Sequence, residues 1–98
     1  MSCVAQFSIF PIGQGESVAE YVAKAVSIVR DSGLEYVFGP MSTSLEGEYD
    51  EVMAVIGRCH EALREDCERV YLTVAVDWRR GPSGRLASKV AAVEERLK

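Results

Sequence analysis

The clearest patterns along the chain are two alternating segments, residues 4–10 and residues 70–77. In each, every second residue is apolar, which is the period of a half-buried β-strand. The apolar faces of the two segments carry Ala5, Phe7 and Ile9, and Val70, Leu72, Val74 and Val76. The opposite faces carry Gln6, Ser8, Tyr71 and Thr73. The alternation therefore predicts two strands of one sheet with an apolar face and a semi-polar face.

Three other segments repeat apolar residues every three or four positions, as amphipathic helices do. The first begins at Ser17, which forms a capping-box pattern with Glu20, and it ends before Gly33, a residue suited to a left-handed cap. The second begins near Asp50, which we interpret as its N-cap, and the third covers roughly residues 85–97. The stripes consist of Val18, Val22, Ala25, Val26 and Val29; of Val52, Ile56, Cys59 and Leu63; and of Leu86, Val90, Val93 and Leu97.

Two short strands, residues 36–38 and 42–47, complete the pattern as a predicted antiparallel hairpin around Gly39 and Pro40. The element order is then βαββαβ with an additional C-terminal helix, which predicts an α+β, ferredoxin-like sandwich. Right-handed crossovers place both main helices on one face of a four-stranded antiparallel sheet. The bare opposite face and the edge strands predict a symmetric oligomer that associates through the sheet, a homodimer or homotetramer.

Composition limits the chain to a few classes of protein. Ninety-eight residues suit a single domain over residues 1–98, and 48% apolar residues suffice for a core. The net charge of −4 argues against a nucleic-acid partner, because phosphate binding needs a basic surface. No leader pattern or membrane-length apolar run is present, and three cysteines do not form a disulfide framework, so we expect a cytoplasmic protein without a membrane partner.

Catalytic and metal chemistry are difficult to build from this sequence. Cys59 and His60 are adjacent in the second helix and point about 100° apart, so they do not converge on one ion even with Cys67. The same divergence argues against a nucleophile pair. We therefore expect no metal, no cofactor and no catalysis; an acid–base role of Asp77 or His60 is the enzymatic alternative.

Several polar and aromatic residues are candidates for ligand contacts. Glu46 is either a solvated charge or a carboxylate that pairs with an amino-heterocycle or a cation, supported by the hydroxyls of Thr43 and Ser44. Asp77 either caps the following loop, pairs with Arg79 or touches a ligand. Tyr36, Phe38 and Tyr71 either stack on a ligand ring or pack in the core or at an interface.

Three stretches in order carry a family resemblance: QFSIFPIG, YVFGPMSTSLEGE and VAVDWR. Together they resemble the thiamine-binding-protein-like family, small ferredoxin-like proteins related to the YkoF-type repeat. The resemblance implies non-catalytic binding of thiamine, or of its hydroxymethylpyrimidine half, by a homo-oligomer, and it directs attention to Ser8, Thr43, Glu46 and Asp77. One difference is Ser42, where the family often has glycine.

A different interpretation of the same features is a regulatory oligomeric module. Such a module would sense another small metabolite or bind a partner protein, and the semi-polar sheet face supports it.

Overall fold

The computed structural model describes residues 2–13, 15, 18–81 and 85–97. The order of elements within these ranges confirms the predicted βαββαβ pattern with a further helix. The capping role expected of Ser17 lies outside the described residues. The elements are β1 (Ser2–Pro11), α1 (Val18–Asp31), β2 (Glu35–Phe38), β3 (Thr43–Gly47), α2 (Tyr49–Arg64), β4 (Val70–Arg79) and α3 (Arg85–Arg96).

The four strands form one antiparallel sheet in the order β2-β3-β1-β4, which is the ferredoxin-like arrangement. The register places Ala5 opposite both Leu45 and Val76, and Gln6 opposite both Ser44 and Ala75. Because neighbouring residues of a strand point to opposite faces, this register separates the apolar set from the polar set, as predicted.

The core lies between α1, α2 and one face of the sheet, which is called the helix face below. It contains the predicted apolar faces of β1 and α2 together with Ala25 and Val29 of α1, and Leu45 and Leu63 are fully buried. Burying such a side chain stabilises the fold by about 1.5–3 kcal/mol. Val18 of α1 and Val74 and Val76 of β4, which belong to the predicted apolar faces, are exposed instead. The core cluster is Cys3, Ala5, Phe7, Ile9, Ala25, Val29, Leu45, Val52, Val55, Ile56, Cys59 and Leu63.

The helix ends agree with the sequence at one position and differ at another. Gly33 follows α1 with a φ of 82°, the left-handed conformation expected of a C-terminal cap. The interpretation of Asp50 as the N-cap of α2 is wrong, because Glu48 is the N-cap and α2 begins at Tyr49. Asp50 lies in the first turn, where its negative charge faces the positive end of the helix dipole.

Helix α3 begins against the other face of the sheet, called the open face below. The Leu86 backbone N–H donates a hydrogen bond to Glu46 Oε1 over 3.1 Å, and Lys89 Nζ lies 2.6 Å from Asp77 Oδ2. The rest of α3 leaves Val90, Val93 and Leu97 exposed. The two crossover helices therefore share the helix face, while the additional helix is tied to residues of the open face.

Within the described ranges, no helix is both long and apolar enough to cross a membrane. The longest of these, α2, has 16 residues, fewer than the roughly 20 that a bilayer requires.

Candidate functional site

A cavity of about 300 Å³ lies at the end of the β2–β3 hairpin. The hairpin turn is closed by Gly39, whose N–H donates to the Ser42 carbonyl over 2.9 Å. Helix α1 supplies one wall and the second half of β1 the other. The lining includes Phe7, Ile9, Val22, Val26, Phe38, Met41 and Thr43. Among the described lining residues no side chain is charged, so the cavity suits a largely apolar, uncharged group.

Thr43 is the polar group placed most deeply in this cavity. The register sets it opposite both Phe7 and Phe38, and so on the helix face at the start of β3. It is 4% exposed, and within the described part of the chain its hydroxyl has no hydrogen-bond partner. Burying a hydroxyl without a partner costs about 1–3 kcal/mol. The Thr43 hydroxyl is therefore available to a molecule that occupies the cavity.

Ser8 and Ser42 lie where this cavity meets a second one, of about 390 Å³, on the open face. Both cavities are lined by these serines and by Phe7 and Met41. The Ser42 hydroxyl donates to Gln6 Oε1 over 3.2 Å, an interaction that glycine at this position could not make. The hairpin end thus has an apolar recess on the helix side and a polar rim on the open side.

The other predicted site residues lie away from the recess. Ser44 and Asp77 line a groove of about 280 Å³ on the open face, beside Lys89. Glu46 is 5% exposed, so its interpretation as a solvated charge is wrong. Burial follows from its position beneath the first turn of α3, where the Leu86 amide occupies one of its oxygens.

The structure divides the six predicted site residues between the two faces of the sheet. Ser8, Ser44, Glu46 and Asp77 belong to the open face, whereas Thr43 and Tyr36 belong to the helix face. Tyr36 is half-buried against the core and lines the groove between α1 and β2 rather than the recess of Thr43.

Two large apolar residues flank the mouth of the recess: Phe38, a candidate for stacking on a ligand ring, and Met41, which the sequence pattern did not single out. Phe38 is 56% exposed and Met41 is 84% exposed, although both are large hydrophobic residues. Their positions on either side of Gly39 and Pro40 are a local signal, because a turn between two apolar residues presents both at a hairpin end.

The cysteines and the histidine lie outside this site. Cys59 donates a weak hydrogen bond to the Ala25 carbonyl over 3.4 Å, and burial raises the pKa of its thiol to about 11. Cys67 is buried beside Tyr21. The pKa of Tyr21 is raised, mainly by the burial of its own hydroxyl group and secondly by the charge of Cys67. His60 is half-buried on α2. In the ranges that the structure describes, no three His, Cys, Asp or Glu side chains group as metal ligands.

Comparison with known proteins gives consistent matches over nearly the whole chain. The sequence model of the family described as thiamine-binding protein matches residues 5–94. A UPF0045 protein of Mycobacterium bovis is 44% identical over 98 residues, which covers 99% of this chain and 96% of the relative.

Solved structures extend the comparison to the fold. A hypothetical protein from Methanocaldococcus jannaschii has a TM-score of 0.87 at 32% identity, covering 96% of this chain and 97% of that one. A Thermotoga maritima protein, described as a candidate thiamine biosynthesis/salvage protein, has a TM-score of 0.79 at 22% identity, covering 92% and 99%. At 22% identity, the similarity to the Thermotoga maritima protein shows the fold alone.

Proposed function

The chain belongs to the thiamine-binding protein family, and from this membership we propose that its hairpin-end cavity binds thiamine by the aminopyrimidine ring, or binds free hydroxymethylpyrimidine. The proposal is one of binding without turnover, in a carrier, salvage or sensor role. The buried hydroxyl of Thr43 is the observation that carries it.

The recess matches an aminopyrimidine in chemistry and in size. A flat ring can contact Phe7 and the apolar side chains of α1, while a ring nitrogen or the exocyclic amino group bonds to Thr43. About 300 Å³ is at the small end of ligand pockets, which suits one such ring. Ser8 and Ser42, on the rim, are the further polar contacts that we assign to the ligand.

The thiazolium of thiamine would lie at the mouth of the recess. Phe38 is exposed there, and an aromatic face attracts a cation by about 0.5–1 kcal/mol at an exposed site. The uncharged recess itself would exclude that cation, because burying an unpaired charge is costly. This arrangement makes the pyrimidine the recognised half of the molecule.

For the open face we propose a sister subunit as its cover. Ser44 and Asp77 line a shallow groove there, and side chains of intermediate polarity suit a contact between subunits. In such an assembly Ser44, Asp77 and Glu46 would lie on the open face, and they would influence the ligand from there rather than from inside the recess. Tyr36 would support the wall of α1 rather than stack on the ring.

Isothermal titration calorimetry with thiamine and with hydroxymethylpyrimidine tests the proposal. We expect binding of both, with the pyrimidine half retaining most of the binding free energy. Recovery of intact thiamine after incubation, measured by chromatography, is expected for a protein that binds without turnover. Absence of heat and of any thermal shift at millimolar ligand would refute the proposal.

The second candidate function is a regulatory module that binds a partner protein. The exposed apolar residues Val90, Val93 and Leu97 on α3 favour it, because they are not covered by the described part of this chain. Co-purification followed by mass spectrometry separates the two candidates: a small molecule in the purified protein supports the first, and a stoichiometric protein partner supports the second.

A further inference from the structure

Strand β1 continues past the end of its neighbour β3. On one side, β1 pairs with β4 along its whole length, Ser2–Pro11. On the other side, the pairing with β3 stops at Phe7, which lies opposite Thr43, the first residue of β3. Residues 8–10 therefore have a free edge on that side, and the same residues line the recess.

The hydrogen bonds of β1 alternate between its two neighbours, and one bond shows which residues face which side. In continuation of the register with β4, the Ile12 N–H donates to the Arg69 carbonyl over 2.9 Å. Such bonds recur at every second residue of an antiparallel pair, so the even-numbered residues of β1 turn their N–H and C=O groups toward β4. The odd-numbered residues turn theirs toward β3. Phe7 is the last of these with a partner, and Ile9 is the first without one.

The β2–β3 hairpin supports the same assignment from the other side. The Gly39 N–H donates to the Ser42 carbonyl, so the backbone groups of Ser42 face β2 and those of the next residue, Thr43, face β1. Thr43 lies opposite Phe7 in the register, and these two residues therefore exchange backbone hydrogen bonds. Ile9 would be the next residue of β1 to do so if β3 continued.

Both backbone polar groups of Ile9 point toward the recess without a protein partner. Ile9 is 5% exposed, and no described residue accepts its N–H or donates to its carbonyl on that side. Buried backbone groups are nearly always paired, so this pair of groups marks a place where a bound molecule can complete the sheet. Pro11, the next odd-numbered residue, has no N–H, so Ile9 supplies the one backbone donor along this edge of the described strand.

We propose that the Ile9 backbone recognises the amino edge of the ligand ring, which binds in the place that a further residue of β3 would take. The exocyclic amino group donates to the Ile9 carbonyl, and the ring nitrogen beside it accepts from the Ile9 N–H. The second ring nitrogen is then left for the Thr43 hydroxyl. This inference rests on the proposed function, because it assigns further contacts of the same ligand.

An aminopyrimidine has the complementary groups side by side on one edge. Its amino group is a donor and the neighbouring ring nitrogen is an acceptor, which matches a carbonyl and an N–H on a single residue. The ring is flat, and strand side chains stand away from the edge of the sheet, so the ring can approach in the plane of the sheet. One ring face would then lie against Val22 and Val26 of α1, and the other would face the rim with Ser8 and Ser42.

This contact determines which rings the recess accepts. A hydroxyl such as that of Thr43 rotates and can donate or accept, so it distinguishes poorly between ring atoms. The donor and the acceptor of Ile9 are fixed by the strand. A ring that presents an apolar group to the Ile9 carbonyl leaves a buried acceptor unpaired, which lowers affinity more than the loss of an exposed bond would. The preferred ligands are therefore heteroaromatic rings with an amino group next to a ring nitrogen.

Calorimetry with a matched pair of ligands tests the contact. The pair is hydroxymethylpyrimidine and its analogue with a methyl group in place of the amino group, which has nearly the same shape. We expect the analogue to bind about 5- to 150-fold more weakly. The same ratio is expected in Thr43→Val, because the Ile9 backbone is unchanged there. Equal affinities, or a ratio that disappears in Thr43→Val, would overturn the proposal.

Amide hydrogen exchange followed by NMR locates the contact at Ile9. In the empty protein we expect the Ile9 amide to exchange faster than that of Phe7, which is paired with β3. Hydroxymethylpyrimidine at 100 times its Kd is expected to slow Ile9 by up to about 100-fold, because only the ligand-free fraction still exchanges. An Ile9 amide as slow as Phe7 in the empty protein, or one unaffected by bound ligand, would contradict the assignment.

The two experiments separate this inference from the proposed function. Absence of heat with either compound refutes the proposed function and, with it, the contact at Ile9. Binding of both compounds with equal affinity overturns the contact at Ile9 alone.

Discussion

Replacing Thr43 by valine is expected to stabilise the empty protein and to weaken its ligand binding at the same time. Valine keeps the branched shape of threonine and its preference for strands, so β3 and its pairing are retained. The change removes a hydroxyl that is 4% exposed and has no hydrogen-bond partner among the described residues.

Both effects come from the Thr43 hydroxyl, once in the empty protein and once in the complex with ligand. In the empty protein the hydroxyl contributes a desolvation cost of about 1–3 kcal/mol, reduced wherever water enters the cavity, so the net gain on removal is about 1 kcal/mol. For a domain of this size that corresponds to about 4–8 °C in Tm. In the complex, a lost neutral hydrogen bond costs about 0.5–1.5 kcal/mol, or about a 2- to 12-fold increase in Kd.

Urea unfolding without ligand and calorimetry with hydroxymethylpyrimidine measure the two effects separately. Thr73→Val is the matched control, because Thr73 is exposed on the open face of β4. We expect that control to change stability by no more than about 0.5 kcal/mol and to leave the Kd unchanged. A less stable Thr43→Val protein would contradict the unpaired hydroxyl, and an unchanged Kd would contradict its contact with the ligand.

Three further predictions concern α3, the core and pH. Glu46→Ala removes the acceptor of the Leu86 amide, so faster hydrogen exchange is expected through residues 86–97, with a loss of about 0.5–2 kcal/mol in urea unfolding and a smaller loss for Glu46→Gln. Leu45→Ala is expected to cost about 2–5 kcal/mol in urea unfolding, because Leu45 is fully buried in the sheet. Burial raises the pKa of Cys59 from its ordinary value of 9.0 to about 11, so the unfolded chain loses this proton first. This contribution to stability is therefore complete below about pH 9 and is lost as the pH rises to about 11. Over that range the free energy of unfolding is expected to fall more steeply with pH in the unmodified protein than in Cys59→Ala.

The strands and the two core helices could be predicted because their patterns are local. The alternation of Ala5, Phe7 and Ile9 is imposed by the pleat of a strand, and the spacing of Val52 and Ile56 by the turn of a helix. Both sets are buried as expected. The order of elements, with right-handed crossovers, then left few topologies for the sheet.

The candidate site could be predicted only in part, because it depends on tertiary contacts. Thr43 and Glu46 are three residues apart in one strand, and this odd spacing puts their side chains on opposite faces. Nothing local to Glu46 indicates that α3 returns from 40 residues away to cover it. The recess itself forms where α1, β1 and the hairpin meet, so its shape follows from packing and not from any one segment.

A crystal structure of the protein with hydroxymethylpyrimidine tests the central claim most directly. The ring is expected in the hairpin-end recess, with one of its nitrogen atoms within hydrogen-bond distance of Thr43 Oγ1. A ring seated on the open face beside Ser44 and Asp77, with the recess containing only water, would contradict it.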